Sequence, residues 1–394
     1  MGFEVWKLDQ ASFQGKEIMS IIIGADIVPT DINIALFKEG DVEKLIGTNL
    51  IHYLYNADYR VFNLEVPLSN KINPIKKNGP TLCAKTATIV GIKKIGVDLF
   101  TLANNHIMDQ GEQGLISTID TLEKNKIAHL GAGMNLAEAQ KSFITYINGK
   151  RIGFYACTEH EFSIAQENVP GANPFNPLES FDHVANLRKE CDYVIVLYHG
   201  GKEHYQYPSP MLQQVCRKFV QKGGGLVICQ HSHCIGCEEK FGDGTIVYGQ
   251  GNFIFNSNCG PYSETSLLIK LNDDFSVEYI PLSREKNGVR LAMGVEANAI
   301  LSAFEKRSEQ IKEKNFVTDE YRKFAKKMLD GYMLFCSGYY HKTWLRILNR
   351  FCGHHLAGKI TNRYSSKEIL ALRNYIECEA HRELWTEGLL QKKL

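Results

Sequence analysis

Five short segments place metal-type donors or carboxamides directly after apolar, β-branched runs. IIIGADIVPT ends such a run in Gly24 and then Asp26, and RVFNLEVPLSN sets Asn63 and Glu65 before Pro67. FTLANNHIMDQG runs straight into Asn104, Asn105 and His106, with Asp109 and Gly111 behind them. Two carboxamides and an imidazole at one strand end are hard to satisfy inside a core without a partner. VIVLYHGGKEHYQYP puts His199 at a strand terminus beside Gly200 and Gly201, with Lys202, Glu203, His204 and Tyr205 following as candidate substrate contacts, as Asn104 is beside the ligand-type Asn105. GLVICQHSHC closes on His231 and His233, two apart: they share a side if the chain stays extended and still converge if it turns, as paired imidazoles do around one or two metal ions. Taken together, the five blocks point to metal binding.

Other residues have plainer explanations. Cys229, Cys234 and Cys237 flank the paired histidines, but the spacing CxHxHCxxC suits a structural zinc site poorly. His160 and Glu161 of TEHEFS read as loop residues, and Lys76 and Lys77 of NPIKKNGP as solvated ones.

The elements that must carry the five blocks alternate. Strands are expected at 18–23, 59–63, 99–103, 152–157, 193–198, 226–230 and 245–249, with helices at 37–55, 116–125 and 210–222, the last opening on Pro210 and closing on Gly223 to Gly225. Near-continuous apolar strands such as VIVLY and GLVIC suit a sheet covered on both faces, and open α/β sheets build their sites at the C-terminal ends of strands. SLLIKLN and SVEYIPL, joined through Asp273 and Asp274, read as a hairpin. Beyond about residue 290 the periodicity turns helical, so residues 1–290 form the expected α/β domain and 291–394 a helical C-terminal domain. Within the latter, 331–363 holds no acidic residue but carries Lys342, Arg346, Arg350, Lys359 and Arg363 among Tyr339, Tyr340, Trp344 and Phe351. Aromatics packed on the α/β domain explain this stretch better than a polyanion or membrane patch.

Composition narrows the class. The 394 residues are 44% hydrophobic and 23% charged, an ordinary folded protein, and 45 basic against 44 acidic residues leave +1, so no global field draws the chain to nucleic acid. No run of about 18 uncharged apolar residues is present, so no transmembrane segment is expected. MGFEVWKLDQ lacks the pattern of a secretory signal, and the 11 scattered cysteines suit buried thiols in a reducing compartment; both lead to a cytoplasmic expectation.

The ordered series GAD, NLE, LANNHxxDxG, HGGxE, the HxH block and IVYGQGNFIF, over about residues 18–256, resembles the CapA family of poly-γ-glutamate capsule synthesis, whose signature is similar to that of calcineurin-like metallophosphoesterases. The resemblance implies a four-layer α/β/β/α metallophosphoesterase-like sandwich. It also implies that Glu65 bridges two divalent metals (manganese, iron or zinc), that Asn105, His199 and His231 ligate one, and that Asp26 and His233 hold the other. His106 would protonate the leaving oxygen, with Asp109 orienting it. The implied activity is metal-dependent hydrolysis of a phosphoester or related anionic substrate by a metal-activated water, linked to capsule, polyglutamate or polysaccharide metabolism and its biosynthesis partners. The alternative is a non-catalytic, metal-containing binding or assembly protein for an anionic polymer or surface-polysaccharide precursor. The chain departs from the phosphoesterase pattern at three places: Val28 stands where a ligating His belongs, Glu65 replaces an Asp, and Gln230 precedes the paired histidines. One or two metals therefore remain open, with Asp31 and Asn33 as candidate replacements for the ligand missing at Val28.

Overall fold

The computed structural model describes residues 19–255, 260–336, 347, 348, 350, 351 and 362–391. Sixteen strands run in chain order: β1 (Ser20–Val28), β2 (Tyr59–Leu64), β3 (Leu99–Thr101), β4 (Ala128–Leu130), β5 (Ala132–Gly133), β6 (Phe143–Ile147), β7 (Lys150–Thr158), β8 (Gly171–Ala172), β9 (Tyr193–His199), β10 (Leu226–Gln230), β11 (Glu238–Phe241), β12 (Gly244–Val247), β13 (Asn252–Phe255), β14 (Thr265–Asn272), β15 (Val277–Glu285) and β16 (Gly288–Leu291). The helices are α1 (Ile34–Glu39), α2 (Val42–Tyr55), α3 (Ile89–Ile95), α4 (Gly111–Lys124), α5 (Leu136–Ala139), α6 (Ser180–Glu190), α7 (Pro210–Gln221), α8 (Gly294–Gln310), α9 (Phe316–Cys336), α10 (Ser366–Glu377) and α11 (Glu379–Leu390).

Two sheets dominate. One has the order β16-β15-β14-β1-β2-β3-β4, with β13 added alongside β1, and the other runs β11-β12-β10-β9-β7-β6. Side chains alternate faces along a strand, and β1 shows the consequence. Ile21 and Ile23 join Val61 and Leu99 in a core shared with Phe154, Ile195, Leu197 and Ile228 of the second sheet. Ile22, between them, packs with Phe62 and Phe100 against Phe37, Leu45, Ile92 and Leu115 of α1 to α4. On the far side of the second sheet, Tyr155, Val196 and Val227 pack on Val184 and Leu187 of α6 and on Leu212 and Phe219 of α7. These three apolar cores separate four layers, helices, sheet, sheet and helices, as the sequence resemblance implied.

Two local differences from the sequence reading have physical causes. The helix expected over 37–55 is two: Gly40, at φ 68°, ends α1 in a left-handed turn, and the Asp41 side chain accepts from Lys44 N to start α2. The 266–282 hairpin forms as β14 and β15. The chain divides into compact units after Val317 rather than near residue 290, because α8 buries Ile300 and Phe304 in the core between the sheets. Within the second unit, a capping box between Ser365 and Glu368 opens α10. Of the basic aromatic stretch, Tyr339, Tyr340, Lys342, Trp344, Arg346 and Lys359 lie outside the described residues. Among the described residues, no helix is long and apolar enough to cross a membrane.

Candidate metal centre

Parallel pairing sets the C-terminal ends of β1 and β2 side by side in one sheet and those of β9 and β10 in the other, and the packing of the two sheets brings the residues after them together. Gly24 permits the close approach of β1 to β2, since a Cβ there would lie 2.0 Å from the Phe62 ring. A register shift after Ile23 then sets Asp26 opposite Asn63. Asn63 donates to Asp26 Oδ1 (2.7 Å) and accepts from Asn104 Nδ2 (3.0 Å), which leaves Asp26 Oδ2 free to face the centre. Past β10 the chain bends sharply: His231 (φ 83°) and His233 (φ 52°) both adopt the left-handed region, an uncommon conformation for residues with a side chain, found mostly where surrounding structure holds it. The turn aims both imidazoles into one cleft.

Two groups of convergent ligand atoms result, Glu65 with His199 and His231, and Asp26 with Glu65 and His233, each group lying within 4.8 Å. Glu65 belongs to both. In the first group His199 Nε2 is 3.2 Å from Glu65 Oε1, 3.1 Å from Asn105 Oδ1 and 3.2 Å from His231 Nδ1. In the second, His233 Nδ1 is 3.4 Å from Asp26 Oδ2. Donors bonded at ~2.1 Å to one cation sit about 3.0–3.4 Å from each other, so these separations are ones that a shared cation would accommodate. Asp26 Oδ2 and both Glu65 oxygens are buried without a hydrogen bond, Glu65 Oε1 being within reach of His199 but outside hydrogen-bond geometry. Orphaned carboxylate oxygens at the meeting point of imidazoles and a carboxamide fit divalent cations such as manganese, iron or zinc.

The buried groups of the cluster shift one another's proton affinities. Burial pushes the Asp26 carboxyl up, and the neighbouring Glu65 charge pushes the same way. Burial would also raise Glu65, but the charges of His233 and His199 hold it well below the usual carboxylate range. His233, which burial alone would lower, is pushed up to about 10 by Glu65 and by its contacts with Asp26 and Asn252. Burial, then His199 and His233, drives His231 well below its ordinary value, leaving a neutral imidazole with a lone pair to donate.

His106 stands at the edge of this centre, with Nδ1 2.6 Å from Asp109 Oδ2. Asp109 also accepts from Lys77 Nζ (2.6 Å) and Leu82 N (2.6 Å). Lys77 is therefore no solvated loop residue, since its side chain is 3% exposed and its Nζ also reaches Asn105 O. Glu161, read as a loop residue, accepts from Asn105 Nδ2 (2.8 Å) and lies 4.0 Å from the outward Nε2 of His231. A carboxylate can only accept, so it turns the amide nitrogen of Asn105 outward and its oxygen toward His199. Asn252, which sequence reading left out of the site, places Oδ1 2.8 Å from His233 Nδ1. Only the GNF run after a strand hinted at it.

The three expected substrate contacts differ in placement. Asn104 is fully buried, donating to Asn63 and Leu64 O and accepting from His106 N, so it supports the centre from beneath. Lys202 and Glu203 face each other at 3.9 Å on the loop after β9. Among the described residues, neither convergent group includes a cysteine, and Cys229 instead meets Cys216 at 3.4 Å beneath α7. Asp31 is exposed, and the Asn33 carboxamide oxygen is held by Thr30 N, so neither replaces the ligand missing at Val28.

The family model described as bacterial capsule synthesis protein PGA_cap matches residues 21–257. The capsule biosynthesis protein CapA of Bacillus anthracis is 28% identical over 243 residues, covering 59% of this chain and 59% of that protein. The PGA biosynthesis protein CapA of Bacillus subtilis is 28% identical over 266 residues, 64% of this chain and 69% of that protein. The match thus spans about three fifths to two thirds of these relatives' length. Similar solved structures include a phosphatase of Mycoplasma pneumoniae (TM-score 0.44, 15% identity, 68% of this chain and 94% of that one). A 5′-nucleotidase precursor of Thermus thermophilus gives a TM-score of 0.40 at 13% identity, with 73% and 58% covered. Likeness at this level carries no argument about activity.

Proposed function

This chain belongs to the bacterial capsule synthesis protein PGA_cap family, and from that membership we propose a metal-dependent hydrolase that acts on a phosphoester or related anionic bond. Its substrate is an anionic polymer or a precursor of one, in keeping with the capsule and PGA biosynthesis in its relatives' names. The observation that carries the reading is Glu65: wholly buried, without a hydrogen bond on either oxygen, and shared by both groups of convergent ligand atoms. A carboxylate is left in that state where cations complete it.

Asn105, His199 and His231 would hold one cation with Glu65, and Asp26 and His233 the other. Bound there, divalent ions supply charge neutralisation for an anionic substrate and lower the pKa of water. Asp109 fixes the His106 ring through Nδ1, so that Nε2 is the nitrogen left to pass a proton to a leaving oxygen. Lys77 offsets the Asp109 charge and ties the 71–82 loop to the segment that carries Asn105 and His106. Asn63 and Asn104 keep Asp26 pointed at the centre.

One observation favours a binding or assembly protein instead. Val28 is buried among apolar neighbours where the phosphoesterase pattern has a ligand. Metal analysis of chelator-free protein, beside p-nitrophenyl phosphate and bis-p-nitrophenyl phosphate assays with manganese, separates the two. The hydrolase reading expects about two ions per chain, lost with turnover in His231→Ala. It also expects His106→Ala to keep its metal while turnover falls by about 10²–10⁴-fold. Bound metal with no turnover on any anionic ester leaves the binding protein.

A further inference from the structure

We propose that Asn252 supplies the donor oxygen that Val28 cannot, closing the half of the centre formed by Asp26, Glu65 and His233. This inference rests on the metal-centre reading and adds to it a residue outside both convergent groups.

The placement is unusual. β13 is a short strand off the main path of its sheet, pairing parallel with the end of β1 in a register that sets Asn252 beside Asp26. Asn252 is 6% exposed, and its Nδ2 has no hydrogen-bond partner. Its Oδ1 is 2.8 Å from His233 Nδ1, which is itself 3.4 Å from the orphaned Asp26 Oδ2. The two separations, 2.8 and 3.4 Å, bracket the 3.1 and 3.2 Å seen around His199, and a cation bound there would displace the proton that His233 Nδ1 shares with these oxygens. A neutral carboxamide oxygen is a normal donor to hard and borderline divalent cations.

A second departure explains how that oxygen is held. Gln230, standing before the paired histidines, donates to Gly24 O (3.3 Å) and to Gln250 Oε1 (3.3 Å). Gln250 in turn donates to Ile23 O and Leu267 O (3.1 Å each), pinning the loop to β1 and β14 two residues before Asn252. Gly251, at φ 77°, has no room for a Cβ, which would fall 2.8 Å from Thr265 O. Gln230 thus helps anchor the segment that brings a carboxamide from β13 alongside Asp26, in the half of the centre where Val28 supplies no ligand.

The test uses the full chain and Mn2+. Wild type is expected to bind two ions by calorimetry and elemental analysis. Asn252→Ala should keep one equivalent unchanged and weaken the other by about tenfold or more, while Asn252→Asp keeps both. The metal-free melting midpoint of Asn252→Ala should fall only slightly, because the carboxamide oxygen loses its one contact with His233 Nδ1 while the nitrogen has no bond to lose. A crystal soaked in Mn2+, with data collected at the manganese edge, should put Asn252 Oδ1 about 2.0–2.3 Å from the ion beside Asp26. Two equivalents at wild-type affinity in Asn252→Ala, or an ion at Asp26 with Asn252 beyond bonding reach, overturns the assignment while the metal centre stands. Wild type that binds no Mn2+ removes the metal-centre reading itself, and this inference with it.

Discussion

Replacing Lys77 by Met keeps the length and volume of the stem and deletes only the charge. The ammonium it removes is 3% exposed and 2.6 Å from Asp109, which is fully buried. Breaking a buried pair by deleting one partner costs about 3–5 kcal/mol, because the other charge is stranded. Asp109 keeps two donors, His106 Nδ1 and Leu82 N, so the lower end applies, about 3 kcal/mol. For a unit as large as Met1–Val317, ~2 °C of melting midpoint per kcal/mol converts this to a fall of about 6 °C. The loss should also be local. Lys77 and Leu82 anchor both ends of the 77–82 segment to Asp109, and Gln110 accepts from Asn73 N and donates to Leu82 O. Scanning calorimetry of metal-free wild type, Lys77→Met, Asp109→Asn and the double variant, with limited proteolysis of the 71–82 loop, measures both effects. A midpoint within about 2 °C of wild type, with no new cleavage in the loop, would refute the reasoning and return Lys77 to the class of surface ion pairs worth less than about 1 kcal/mol.

Two further outcomes follow from other contacts. Glu161→Ala releases the Asn105 amide, so manganese affinity at the half formed by Glu65, His199 and His231 should fall by about 10–100-fold in calorimetry, with Glu161→Gln falling less; unchanged affinity in Glu161→Ala would mean the amide is oriented by something else. His129 has its pKa lowered by burial, against a smaller opposing pull from Glu123. A folded value below the unfolded ~6.5 means its contribution to stability is present above that pH and lost as pH falls below it. The urea midpoint should therefore drop from pH 7 to pH 5 and drop less in His129→Gln; superimposable profiles would exclude His129 as a source.

Much of the centre was legible because strand and donor are written together. An apolar run followed at once by Asp, Asn, His or Glu states both the element and the chemistry at its end, which is how Asp26, Glu65, Asn105, His199, His231 and His233 stand out. His106 and Asp109 are three apart in one segment, so their pairing needs only a local turn. Lys77, Glu161 and Asn252 carry no such signal. Each is an ordinary loop or edge residue until a partner 32, 56 or 19 positions away arrives beside it. The same holds for Asn104, whose type suggests a substrate contact and whose depth makes it a support.

The identity and order of the donors are covalent properties, and the alternation of apolar runs is local, so both the sheet-ended site and the layered α/β class could be argued from the chain alone. Which donors meet was decided by strand register. The shift after Ile23 sets Asp26 level with Asn63, and the pairing of β13 with β1 joins residues 226 apart in sequence. Such pairings depend on the whole sheet being assembled, because a one-residue slip sends every side chain to the opposite face.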